Sequence, residues 1–235
     1  MSTRLPFRRR RAGAGALIAA LAFVMVACAP ASDDDVSNDG GPTDALWQAV
    51  EADDADAAQH AIDAGADIES RAAGDATPLV AATKRESAEV AAVLLDAGAD
   101  PNAQDGMQDS AFLYAGAEGL DEILALTIEH GADPASTNRY GGTALIPASE
   151  HGHVSTVRML IDAGVPVDHV NNLGWTALHE AIVLGTGSPD HVETVRLLLD
   201  AGADPALPDG DGTLPRELAA SHGYDEIVAL IDDAS

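Results

Sequence analysis

Cysteine, aromatic side chains and positive charge are all scarce in this sequence. A single Cys among 235 residues rules out any intrachain disulfide framework. Phe, Trp and Tyr make up 3% of the chain, too few for an aromatic-rich β-sandwich or propeller. Lys and Arg number 12 against 39 Asp and Glu, a net charge of −27. A polyanion is bound through a basic footprint, so this balance argues against DNA and RNA as partners. What remains is a length suited to one compact domain or one array of small units.

The charge is divided unevenly. Residues 1–27 contain Arg4, Arg8, Arg9, Arg10 and Arg11 and no acid, so the chain from Cys28 onward has seven basic residues against 39 acidic ones, a net −32. After Arg11 comes an uninterrupted apolar and small run from Ala12 to Ala27. This order is that of a secretory signal, and the run is shorter than the roughly 20 residues of a comfortable membrane span. Met25-Val26-Ala27-Cys28 resembles the lipobox of bacterial lipoproteins. The resemblance implies that residues 1–27 are removed and that Cys28 is lipidated, its thiolate being the best side-chain nucleophile for taking a diacylglyceryl group. The alternative is a buried Cys in an uncleaved signal anchor. The Arg run lacks the apolar pattern that usually follows a twin-arginine pair, which favours general secretion.

Residues 28–43 are small and acidic, with Gly and Pro breakers, and bury almost nothing; a disordered spacer is expected. Its acids lack the ligand order and following Glu of a calcium loop.

Beyond residue 43 the sequence repeats. Gly65, Gly98, Gly131, Gly164 and Gly202 recur after 33, 33, 33 and 38 residues. Asp44, Thr77, Ser110 and Thr143 each stand 21 residues before the first four, and Thr176 stands 26 before Gly202. Ala follows each of these polar residues after five positions, at Ala49, Ala82, Ala115, Ala148 and Ala181. Asp, Ser and Thr cap helix starts by accepting from free N–H groups. Pro78 and Pro215 fall where a first helical residue needs no N–H. The recurring Gly follows an apolar run and can take the left-handed conformation that closes a helix. Each unit therefore reads as helix, turn, second helix and extended connection.

One such unit cannot bury its apolar face alone, whereas stacked neighbours share a core. The stretch Asn171-Asn172-Leu173-Gly174-Trp175-Thr176-Ala177-Leu178-His179-Glu180-Ala181, followed by Val195-Arg196-Leu197-Leu198-Leu199-Asp200-Ala201-Gly202-Ala203-Asp204, resembles the ankyrin repeat family. Thr77-Pro78-Leu79 and His151-Gly152-His153-Val154 extend the likeness. It implies an all-α helical solenoid of six helix-turn-helix units joined by β-hairpin-like loops, over 44–71, 72–104, 105–137, 138–170, 171–208 and 209–235. The pattern is broken where Glu86 replaces the inter-helix Gly, where Val165-Pro166 replaces Ala-Asp, and at a five-residue excess best placed at Thr186 to Asp190. Trp47 is expected in the first unit's core.

Eight His residues invite a metal or catalytic reading. His153 and His191 occupy equivalent family positions, and His179 stands three after Thr176, where the resemblance implies a hydrogen bond ordering the helix start. His151 and His153 bracket one glycine with no Cys nearby, a weak zinc signal. There is no nucleophile elbow, phosphate loop or His-Glu-x-x-His, and Asp67, Asp100, Asp133 and Asp204 recur once per repeat, which implies a structural or solubilising role. No enzyme activity, metal or cofactor is expected.

The surface is left to carry function. In ankyrin-like arrays, hairpin tips and exposed first-helix positions line a concave binding face. Carried over, those places are Lys84 and Arg85; Met107, Asp109 and Glu118; Arg139, Tyr140, Glu150 and His151; Asn172, Leu173, Trp175, Val183 and Leu184; then Asp211, Thr213, Ser221 and His222. Tyr140 and Trp175 lie on adjacent tips, and exposed aromatic anchors often contribute about 2 kcal/mol or more to an interface; Trp175 could equally fold back on its own hairpin. The expectation is a monomeric, lipid-anchored scaffold, outside the bacterial cytoplasmic membrane or on the periplasmic face of an envelope membrane. Its partner would be another exported or envelope protein with a basic patch. An acidic envelope structural or cation-buffering protein with no specific partner is the alternative.

Overall fold

The computed structural model describes residues 40–234. The signal segment 1–27, the lipidation site Cys28 and the tether as far as Asp39 lie outside the described residues.

Twelve α-helices follow in pairs: α1 (Pro42–Ala52) and α2 (Ala55–Asp63); α3 (Pro78–Lys84) and α4 (Ala88–Asp96); α5 (Ala111–Glu118) and α6 (Asp121–Glu129); α7 (Leu145–His151) and α8 (Val154–Asp162); α9 (Ala177–Val183) and α10 (Pro189–Asp200); α11 (Pro215–His222) and α12 (Asp225–Ala234). No strand occurs among the described residues. Odd-numbered helices pack on the next odd-numbered helix and even on even, giving two rows that run the length of the array. The repeated Ala49, Ala82, Ala115, Ala148 and Ala181 are all buried, as are Leu46, Leu79, Phe112, Leu145 and Leu178 three positions before them. This large-and-small pairing lets each helix close on the next. Trp47 does not join them. It is half-buried at the open end of the first unit, and its Nε1 donates to Ser70 Oγ at 3.0 Å.

Helix starts follow the caps with two exceptions. Thr77 Oγ1 accepts from the Val80 N–H at 3.2 Å and Ser110 Oγ from the Leu113 N–H at 3.1 Å. At Thr176, His179 Nδ1 accepts from the backbone N–H at 3.2 Å and lies 2.8 Å from the hydroxyl, the ordering role implied by the family likeness. The first exception is α1, which starts at Pro42 with Gly41 as its cap, so the helix begins two residues before the expected boundary and Asp44 sits in its first turn. Pro42 brings a fixed φ and lacks the N–H that a first turn would leave unsatisfied. The second is α7, which starts at Leu145; there the Ile146 N–H bonds the Thr143 carbonyl at 3.2 Å in a tightened turn, and the buried Thr143 hydroxyl finds no partner.

Helix ends are uniform. Gly65, Gly98, Gly131, Gly164 and Gly202 are all left-handed, and the N–H of the next residue bonds the carbonyl five positions back, at 3.0 to 3.1 Å. Val165 keeps this bond to Leu160, so the unusual Val165-Pro166 leaves the cap intact. Between the helices of a pair, Glu86 adopts φ 60°, the same left-handed turn that Gly119, Gly152 and Gly223 make in other units. The backbone is conserved at a steric cost.

Each extended connection ends in a reversed tip. In four tips one side chain holds the turn: Asp105, Asn138, Asn171 and Asp209 each accept through Oδ1 from the N–H groups two and four residues on. Neighbouring tips touch through backbone. Gly106 N–H donates to Gly74 O at 2.7 Å and Asn172 N–H to Tyr140 O at 3.0 Å, and a Cβ on Gly174 would stand 2.9 Å from Gly210 Cα. A second ladder links units through Asp100 N–H to Glu69 Oε1, Asp133 N–H to Asn102 Oδ1 and Asp204 N–H to Asp168 Oδ1. The rung between the third and fourth units is missing on both sides, because Ala135 offers no acceptor and Pro166 no N–H. The recurring Asp67, Asp100, Asp133 and Asp204 each accept through Oδ1 from the N–H two residues on, a turn-forming role.

The extra residues of the fifth unit are used in two ways. Ser188 caps an α10 that starts at Pro189 and runs for 12 residues, against nine in α4, α6 and α8. The preceding loop is fastened to the last unit, where Tyr224 Oη donates to Gly185 O at 3.0 Å and the Tyr224 ring lies against Gly187.

Candidate binding face

The tips and the first helices of the pairs form one side of the array. Of the candidates read from the sequence, Arg85, Met107, Arg139, Tyr140, His151, Asn172, Leu173 and Leu184 are exposed there, while Lys84, Trp175 and Val183 are half-buried. Met107, Tyr140, Leu173 and Leu184 are the large apolar ones, between 47% and 60% exposed. Val170, 51% exposed on the arm before the Trp175 tip, was not anticipated.

Two candidates are already engaged within the protein. Lys84 Nζ bonds Asp105 Oδ2 at 2.7 Å and Asp109 Oδ2 at 2.9 Å, and lies 5.2 Å from the centre of the Tyr114 ring. Burial works against both charges of the Lys84–Asp105 pair. The bonds between them, with the Asp109 and Met107 N–H groups on Asp105, outweigh it, holding the carboxyl below its ordinary range and the amine above its own. Arg85 reaches back to the Glu51 carbonyl. Arg139 is held loosely, with Nη1 3.4 Å from Asp109 Oδ1 and its guanidinium 4.5 Å over the Tyr140 ring.

Arg139, Tyr140 and His151 come together around a cleft of about 230 Å³ between α5, α7 and α9. Its other walls are Asp109, Leu113, Tyr114, Glu118, Ile146, Pro147 and Glu150, and at its floor lie Asn171 and Glu180. Met107, Leu173, Trp175, Val183 and Leu184 are not part of it. Glu180 is 5% exposed and accepts from Asn171 Nδ2 at 2.9 Å. Its burial, then the charge and the hydrogen bond of Glu150, push its carboxyl up to about 7, against the opposing pull of Asn171 and His151. Glu180 therefore takes up or gives up its proton near neutrality, with Glu150 facing it. The sequence does carry a sign of it: Glu180 is an acid inside the run Ala177 to Ile182, whose other members apart from His179 are apolar, immediately before the in-phase Ala181.

The histidines have structural work. His191 Nδ1 lies 2.8 Å from Ser188 Oγ and its Nε2 2.8 Å from Glu150 O, tying α10 to α7. Burial holds His179 and His153 below the ordinary imidazole value, with His151 adding to the effect on His153. Among the described residues no three His, Cys, Asp or Glu are placed to hold a metal ion.

Comparison with known proteins accords with this architecture. A family model described as ankyrin repeats in three copies matches residues 112–209, and a single ankyrin repeat model matches 75–106. No curated protein sequence matches the chain. Among solved structures, an ankyrin repeat domain from Acinetobacter baumannii is 52% identical with a TM-score of 0.79, over 80% of this chain and 96% of that one. The ankyrin repeat protein EF0377 is 37% identical with a TM-score of 0.78, over 81% and 97%. The ankyrin repeat domain of Bcl-3, a member of the IkappaB family, is 26% identical with a TM-score of 0.71, over 80% and 81%. The phased helix pairs, the glycine-closed helix ends and these matches make the chain a member of the ankyrin repeat family.

Proposed function

We propose that this is an exported ankyrin repeat lipoprotein, a non-catalytic monomeric scaffold that holds another exported or envelope protein through its tip-side face. In this reading Cys28 carries the lipid on the outer face of the bacterial cytoplasmic membrane, or the periplasmic face of an envelope membrane, and the acidic tether spaces the array from the bilayer. The observation that supports binding most directly is the juxtaposition of a cleft with exposed Met107, Tyr140, Leu173 and Leu184 on one side of the array. Apolar side chains so placed offer partner anchors, and a rigid stack loses little conformational entropy on binding. Crosslinking in intact cells, followed by identification of the bound protein, tests it. Tyr140→Ala with Trp175→Ala is expected to abolish the crosslink while circular dichroism stays helical. An unchanged crosslink rejects the site, and recovery that salt erases equally for both proteins favours the acidic, partnerless alternative. Replacement of Cys28 by Ala is expected to release the protein from membranes.

A further inference from the structure

The cleft carries more negative charge than the array neutralises. Asp109 is answered by Lys84 and Arg139, but Glu118, Glu150 and Glu180 also line the cleft, and among the described residues none of these three is ion-paired to a Lys or Arg. At the floor, Asn171 Nδ2 is the one permanent donor to Glu180 among the described residues; the rest of that carboxyl faces Glu150, another acceptor. Leu113, Ile146, Pro147 and the Tyr114 ring give the cleft an apolar wall, while Glu118, Arg139, Tyr140 and His151 are the exposed residues around it. About 230 Å³ is less than the roughly 300–1,000 Å³ of a pocket for a drug-sized ligand, and suits one side chain.

We infer that this cleft seats a single basic side chain of the partner, an Arg or Lys flanked by apolar residues, between the carboxyls of Glu150 and Glu180. Arg suits it best, because a planar fork of donors can bond two carboxylates at once while its stem lies along the apolar wall. The inference rests on the proposed binding role of this face. The groups that face Glu180 set its pH dependence: Glu150 and His151 from α7, Tyr114 and Glu118 from α5, and Asn171, Asp109 and Arg139 from the tips. Below about pH 7 Glu180 holds a proton, and the entering cation must displace it. Binding therefore strengthens as pH rises through that value.

The test uses the full chain in detergent micelles, with N-acetyl-arginine amide as probe and its neutral isostere N-acetyl-citrulline amide as control. Carbon-13 NMR reads the Glu180 carboxyl. With saturating arginine derivative the Glu180 titration midpoint is expected to fall by at least about one pH unit, and the probe to bind up to about tenfold more weakly at pH 6 than at pH 8. Glu180→Gln and Glu150→Gln should each weaken the probe several-fold and flatten that dependence. Equal movement with the citrulline derivative, a Glu180 midpoint that stays still while other surface acids respond, or a midpoint that answers calcium chloride but not the arginine derivative would each overturn the inference. Partner crosslinking separates the two levels. If the Tyr140 and Trp175 variant loses the partner while Glu180→Gln retains it in full, the basic seat fails and the binding face stands; if both retain it, the binding face itself fails.

Discussion

Replacing Glu180 by Gln should change how stability depends on pH, with little change in what the protein looks like. The folded carboxyl titrates near 7 instead of its ordinary 4.5. A carboxyl whose value is raised on folding supports the fold fully below its unfolded pKa, and that support is lost as pH climbs through the folded value. A gap of about 2.5 pH units corresponds to roughly 3 kcal/mol. Gln keeps an oxygen to accept from Asn171 and offers an amide N–H to Glu150, so the variant has no charge to bury. Urea unfolding at pH 4.5 should find the two proteins alike. At pH 8 the variant should be more stable by about 2 to 3 kcal/mol, with most of the difference appearing between pH 4.5 and 7. Parallel stability curves for the two proteins would refute the raised Glu180 carboxyl.

Three further outcomes follow from the geometry. Lys84→Met leaves the buried Asp105 without its charged partner and should destabilise the array by about 1 to 3 kcal/mol in urea unfolding at pH 7; the loss should shrink below pH 4, since the depressed Asp105 carboxyl contributes only while ionised. Glu86→Gly removes a left-handed non-glycine residue and should raise stability by about 0.5 to 1 kcal/mol, read from the urea midpoint. Ala135→Asn with Pro166→Asp restores both halves of the missing rung and should show about 1 kcal/mol of coupling in a double-mutant cycle, with Ala135→Asn alone contributing nothing.

Most of the fold could be read from the phase of a few residues. Gly65, Gly98, Gly131, Gly164 and Gly202 marked helix ends because a left-handed closure has few side-chain solutions, and the Ala and Leu positions marked burial because close helix rows admit little else. The exceptions arose where two rules competed for one turn, as at Pro42 against Asp44 and at the tightened start of α7. Surface candidates were legible only as places. That Lys84 and Arg85 spend their donors inside the array depends on partners one unit away, Asp105, Asp109 and Glu51, whose distances no spacing reveals. Glu180 was visible as an acid in an apolar helix, but its meaning required Glu150, 30 residues earlier, to face it.

The backbone contact between neighbouring tips has a mechanical consequence. Where Gly106 meets Gly74 and Gly174 meets Gly210, the separation between units on the tip side is set by main chain, which cannot change rotamer, while the helical side is spaced by side chains that can. The array therefore has one stiff edge and one compliant edge: a load that spreads the tips must first part these main-chain contacts, whereas displacing the helices needs only repacking of side chains. A side chain placed at Gly106 or Gly174 would act as a wedge between neighbouring tips and push the units apart on that side, altering the spacing of the binding face.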